Sequence, residues 1–406
     1  MVVRYVSPQG NDGNSGLGVD PANAWLTINR AVQSDNIAPG DQIMVLPGTY
    51  SEEVKMTKPG VAGAYVRLRS LFPRLALIRS PAASYSAVQM SVPFCSVEDF
   101  DVQCGAGFGS GIDNTYNSPK SHHLAVRGNY VHDCDGGGIN LAWGDRFLIE
   151  GNEVAKCAGR NNYQTSGITI YQPQSLDTLA GFHNIIRGNI SRDNAELGFI
   201  TNEHTDGNGI IIDDGQNTQQ SGSQSVPYQY ATLVTDNLML RNGGTGGHSF
   251  KSDNVHWVKN TSVVNNYDNA NTATWRGAIA NYFSSNNRFL YNICVADSGK
   301  NPNNTAAADC SVSPVSGNYW QGNFLFDISK PGDPSFKMDN PTPPVVVAHL
   351  YGMNPRFAND YGLELDSPAT GLGYTPRPIS FKISPEVRAS LNSIISTINK
   401  VIKTYG

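Results

Sequence analysis

The chain has 406 residues; 39% are hydrophobic by a count that omits 41 glycines, and only 16% are charged. That apolar content excludes a disordered chain, and no run of about eighteen apolar residues is available to span a membrane. The net charge of −5, with no cluster of Lys or Arg, excludes a nucleic-acid-binding surface.

The first predicted element is a strand, Val2-Val3-Arg4-Tyr5-Val6, with no cationic stretch and apolar core ahead of it. Leu26 to Ser34 reads as a short N-terminal capping helix, with Ile28, Ala31 and Val32 on one face. Pro39 to Tyr50 reads as a turn, a strand and a second turn leading into a repeat.

The centre of the chain then repeats itself. Val126-Arg127-Gly128-Asn129 recurs as Ile149-Glu150-Gly151-Asn152, Ile186-Arg187-Gly188-Asn189, Val234-Thr235-Asp236-Asn237, Val258-Lys259-Asn260 and Leu290-Tyr291-Asn292. The spacing is 23 residues twice and longer elsewhere, which predicts a solenoid with loops inserted on one side. Each period also holds a glycine followed by an alternating strand, starting at Gly138, Gly167, Gly209, Gly247 and Gly277. The repeated Asn predicts a ladder of stacked amides at a coil corner. Together these predict an all-β fold, a right-handed parallel β-helix. Six cysteines without a CxxC pair argue against zinc; Cys134 and Cys157 are read either as a pair or as buried free thiols.

After about Val312 the repeat fades. The β-helix is assigned to residues 1–375 and a tail to 376–406. In that tail Ser384 to Tyr405 reads as an amphipathic helix, with Val387, Leu391, Ile394, Ile398 and Val401 on one face. It either packs along the solenoid of a monomer or assembles a trimer.

Repeat registration turns this sequence into geometry. The fourth residues after the repeat glycines, Ala142, Tyr171, Asp213, Lys251 and Asn281, are expected in one outward column, with Asp213 and Lys251 on neighbouring coils. The stretch from Glu203 to Gly215 supplies Glu203, Asp206, Asp213 and Asp214, and the last three carry oxygens suited to Ca²⁺. Lys251 beside Asp213 is read as a catalytic pair, and Arg276 as a carboxylate clamp. His248 is expected to face nominally inward and His204 to sit in the acidic loop. Glu203, His204 and His248 are also carried as substrate contacts, and Tyr163, Tyr171, Trp275 and Tyr282 are candidates to stack on sugar faces.

At this level of detail the chain resembles the pectin-lyase-like superfamily. Tyr5-Val6-Ser7-Pro8-Gln9-Gly10-Asn11-Asp12 with Gly48-Thr49-Tyr50 is similar to the opening of family 9 polysaccharide lyases and mannuronan epimerases. Leu365-Asp366-Ser367-Pro368-Ala369 is similar to an "SPA" element near their end. The resemblance runs to about residue 375. It implies a lyase acting on an acidic, uronate-containing polysaccharide, secreted or at the cell surface, by β-elimination with an aspartate-bound Ca²⁺ and a lysine base. Asp206, Asp213, Asp214 and Lys251 are the positions that would carry those roles. In that family the aspartates come from adjacent coils, whereas Asp206 and Asp213 lie in one short stretch. Two other functions fit the same sequence: a glycoside hydrolase using Asp213 with Asp214 or Glu203, and a tailspike-like polysaccharide-binding protein.

Overall fold

The structure, a computed structural model, describes residues 1–107, 109–114, 121–160, 164–197, 204–219, 226–271 and 276–376. Three parallel sheets run the length of these residues, with 12, 10 and 11 strands. Hydrogen-bonded neighbours within a sheet are mostly three strands apart in sequence, so each coil contributes one strand to each sheet. This is the expected right-handed parallel β-helix. The N-terminal cap is a helix of one turn and a half, Ile28–Val32; Thr27 caps it by accepting from Arg30 N. Its Ile28, Ala31 and Val32 are buried, as the apolar spacing requires, while Leu26 lies outside it and is exposed.

The repeat works as predicted at one corner. The Nδ2 of Asn129 donates to Asn152 Oδ1 at 3.0 Å, and the same bond runs from Asn152 to Asn189, Asn237, Asn260, Asn292 and Asn323 at 2.9–3.0 Å. All seven side chains are buried. The residue before each Asn turns the corner with φ between 53° and 67°: Gly128, Gly151, Gly188, Asp236, Lys259, Tyr291 and Gly322. Glycine takes that left-handed conformation at no steric cost, and a few other residues are held there by the ladder. A second ladder, Asn194 to Asn242 to Asn265, lies at another corner. Cys134 and Cys157 precede it, and all six cysteines are free and buried.

The second sheet departs from the predicted register. Ile139, Ile168, Ile210, Gly247, Ile279 and Ala307 are paired in line. Gly247 therefore occupies the inward isoleucine position, and Gly246 is the true repeat glycine. The reason is volume. The Trp257 ring from the first sheet fills the space, and a Cβ on Gly247 would lie 2.6 Å from Trp257 Cζ3. Because strand side chains alternate, a slip of one residue reverses every face of that strand; in the next coil Ile279, not Ala278, takes the inward position, a second slip of one residue. The outward column is Ala142, Tyr171, Asp213, Phe250, Tyr282; the second is Asn140, Thr169, Ile211, His248, Ala280. His248 thus faces outward, contrary to expectation. Ser249 and Asn281 face inward, where Ser249 Oγ accepts from Trp257 Nε1 and Asn281 Oδ1 from Asn287.

The solenoid also continues past Val312, through strands Tyr319–Gln321, Phe324–Asp327, Phe336–Asp339, Val345–Val347 and Leu350–Tyr351. The chain then folds back along the third sheet. Ala369 and Tyr374 are buried there against Leu238, Ile293 and Phe324. Ser367 of the SPA element accepts from Ala369 N and donates to the Pro355 carbonyl, closing the turn that starts this return. The predicted helix at Ser384–Tyr405 lies outside the described residues, as do Tyr163, Glu203 and Trp275. Among the described residues no helix is long and apolar enough to cross a membrane.

Candidate functional site

The predicted site residues lie on the outer wall of the second sheet, in two groups. The first group sits where the strands Ile210–Asp213 and Gly247–Phe250 end. Asp213 is half-buried, and its Oδ1 accepts from Gln219 Nε2 at 3.1 Å. Burial, and then the charge of Asp214, push its carboxyl up to about 7, against the opposing pull of Lys251. Lys251 follows the strand on the next coil. It turns the corner with φ of 46°, so it is the in-line partner of Asp214 and not, as predicted, of Asp213. Its ammonium lies 5.6 Å from the Phe250 ring centroid. The two residues share a wall and neighbouring coils, and they interact through space without a direct ion pair, which would need N···O within 4.0 Å.

The expected Ca²⁺ cradle does not fit these residues. Asp214 is fully buried and both of its oxygens are taken. Gln172 Nε2, Thr218 N, Thr218 Oγ1 and Gln219 N donate to them at 2.7–3.0 Å. It is a turn-capping aspartate. Asp206 lies at the opposite end of the same strand, where Asn208 Nδ2 and Thr205 Oγ1 donate to it. Its carboxyl is raised well above the usual range by burial, then by the charges of Asp213 and Glu196. Among the described residues, the one group of three acid or imidazole ligands converging within 4.8 Å is Asp145, Asp177 and His183. These are already consumed. His183 bridges Asp145 at 2.9 Å and the Leu179 carbonyl at 2.7 Å, Tyr228 OH donates to Asp145 at 2.6 Å, and Arg146 pairs with Asp177 at 2.6 Å. That network ties Asp177, His183 and Tyr228 to Asp145 and Arg146 and was not foreseen from sequence, because its members are up to 83 residues apart.

The second group forms a pocket. Arg276, His248 and Tyr282 are brought together with Asn208, Asn266 and Asn271, around about 50 Å³ of free space. Arg276 is 2% exposed and its guanidinium donates to the Asn271 carbonyl. Burial pulls its pKa down and raises that of Tyr282. The His248 ring stands edge-on to Tyr282, with centroids 4.6 Å apart. Part of the ring meets solvent, yet both ring nitrogens are covered, and burial pushes the imidazole down to about 3. His204 takes no part; its Nδ1 is held by Asp268 Oδ2 at 2.7 Å. Tyr171 is one coil from Asp213 in the same outward column. The three Asn residues of the pocket were missed from sequence. In an Asn-rich chain nothing local separates a pocket amide from a turn amide.

The comparisons agree on architecture. A family described as "Right handed beta helix region" matches residues 106–224. Among solved structures, the chain is similar to pectate lyase Pel9A at 14% identity, with 95% of this chain and 90% of that one covered and a TM-score of 0.50. It is similar to a rhamnogalacturonan lyase at 13% identity, covering 97% and 98%, also with a TM-score of 0.50. The GH136 lacto-N-biosidase from Eubacterium ramulus aligns at 14% identity over 85% of this chain and 68% of that one, with a TM-score of 0.45. No curated protein sequence matches the chain. At these identities the likeness is one of fold, and it bears out the resemblance read from the sequence at that level.

Proposed function

We propose that the protein is a polysaccharide lyase that cleaves an acidic, uronate-containing polymer by β-elimination. The observation that supports it best is Asp213 and Lys251 at the strand ends of neighbouring coils on one outer wall, the carboxyl raised to about 7 and the amine beside it. In this reading the Lys251 amine, in its neutral form, removes the proton on C5 of a uronate. Asp213, protonated up to neutral pH, delivers a proton to the departing O4. The C4–O4 bond breaks, a C4–C5 double bond forms, and one proton is gained and one lost by the protein. No step runs through a metal ion, because Asp214 and Asp206 are already occupied by hydrogen bonds.

Incubation with a panel of acidic polysaccharides, followed by near-ultraviolet absorbance for unsaturated ends, tests this reading directly. Saturated reducing ends without that absorbance would favour hydrolysis. The partner of Asp213 would then be Asp206, whose carboxyl its charge raises, and not Asp214. No cleavage of any polymer would overturn both.

A further inference from the structure

A stack of coils has two ends at which the core lacks a next layer, and the two ends of this solenoid differ. At the first, the helix Ile28–Val32 lies over the opening, with Ile28, Ala31 and Val32 buried. At the last, Phe336–Asp339, Val345–Val347 and Leu350–Tyr351 end the three sheets, and no described strand pairs with their far edges. The inward positions show the consequence. Val346 is in line with Trp320, Tyr351 with Leu325, and Met338 with Asp309. The partners one coil earlier are at most 1% exposed, whereas Val346, Tyr351 and Met338 are 42%, 53% and 53% exposed. Side chains that continue the core therefore meet solvent at this end. Such apolar surface costs free energy in proportion to its area, and open strand edges beside it invite pairing.

The chain itself carries a segment that fits. Val387, Leu391, Ile394, Ile395, Ile398 and Ile402 recur at helical spacing, and that spacing sets Ser396, Lys400 and Lys403 on the opposite side. A helix of this kind is stable when its apolar side is packed against a partner. The tether is long enough. Thr375 N donates to Asp236 Oδ1, which fixes the returning chain beside the coil of Asp236. The same corner runs from Asp236 through Lys259, Tyr291 and Gly322 to the last coil, four steps or roughly 20 Å away. The eight residues between Thr375 and Ser384 span about 26 Å when extended. An attached segment also acts at a high effective concentration that a separate molecule lacks, which favours the chain's own tail over a second copy.

We infer that Ser384–Tyr405 of the same chain forms an amphipathic helix over this end, with its apolar side against Met338, Val346 and Tyr351. It covers the last layer of the core as Ile28–Val32 covers the first. This assignment is independent of the reaction. The test uses the full chain with a photoreactive benzoylphenylalanine in place of Leu391. Irradiation and peptide mapping should give cross-links within one chain to residues 336–353. Hydrogen exchange read by mass spectrometry is the second measurement. Ile394→Asp combined with Ile398→Asp should speed exchange across residues 345–351 at least about tenfold, and Ser396→Lys should leave it unchanged. Cross-links to other parts of the solenoid, no cross-links, or unchanged exchange in the double variant would overturn the proposal. Cross-links between chains, with a mass above one chain by light scattering, would also overturn it and make a second copy the cover. Should the double variant not fold, the cross-linking result decides, because that chain keeps every other apolar residue of the segment.

Discussion

Replacing Asp213 by Asn provides a test of the wall's electrostatics that needs no substrate. The carboxyl goes from 3.8 when solvated to about 7 in the fold. Between those values the native protein holds a proton that the unfolded chain has released, so native stability falls as pH rises through that window. The penalty is absent below pH 3.8, grows with pH, and is complete above about 7. At about 1.36 kcal/mol per pH unit the full effect is at most about 4 kcal/mol. Asn keeps the shape and accepts from Gln219, but it never ionises. Asp213→Asn should therefore be close to wild type at pH 4 and more stable at pH 8, by about 1–4 kcal/mol once the lost attraction to Lys251 is set against it. Thermal or urea unfolding of both chains across pH 4–9 measures the difference. A constant offset at all pH values, or a less stable variant at pH 8, would refute the account of Asp213 as a carboxyl kept protonated by its surroundings. In the lyase reading the same variant loses turnover, and the wild-type rate falls on the alkaline side of about pH 7 as Asp213 gives up its proton.

Other outcomes follow from the same geometry. Asn189→Ala removes a buried amide that donates to Asn237, Ile149 and Arg187 and accepts from Asn152, and should cost about 3–5 kcal/mol in denaturant unfolding. A loss below about 1 kcal/mol would mean that the ladder is decorative. Gly247→Ala drives a methyl against Trp257 and should lower stability by about 1–3 kcal/mol in denaturant unfolding. Lys251→Ala should reduce the appearance of unsaturated ends by at least about a hundredfold on whichever polymer is cleaved; full activity removes Lys251 from the mechanism. A chelator should leave cleavage unchanged, and a rate abolished by chelation and restored by Ca²⁺ would show that the aspartates rearrange to hold an ion.

Much of the architecture was legible in the chain. The Gly/Asp/Lys-Asn signature is local: the residue before each Asn must turn through positive φ, and the Asn bonds to its copy one coil away, so one repeat announces the next. The cap helix was equally readable, since Thr27, Ile28, Ala31 and Val32 act within one turn. The corner occupied by Asn194, Asn242 and Asn265 escaped notice because its first members are Cys134 and Cys157, which share a position but not a chemistry.

The candidate wall was harder to read, for a reason that can be located at two positions, Gly247 and Ile279. Two glycines, Gly246 and Gly247, stand where the repeat needs one, and the strand pattern alone does not say which begins the coil. The indole of Trp257, arriving from another sheet, takes the space of an isoleucine and assigns Gly247 to the interior. That choice put His248 outside and moved Lys251 to the corner; in the next coil a second slip, with Ile279 rather than Ala278 in line with Gly247, replaced Asn281 by Tyr282 on the wall. Composition and periodicity determined the solenoid, because stacking coils is the one way such short repeats bury their apolar faces. Which side chains meet on its surface was decided only by three-dimensional packing, since the alternation of a strand converts one filled volume in the core into a reversal of the faces of the strand that fills it.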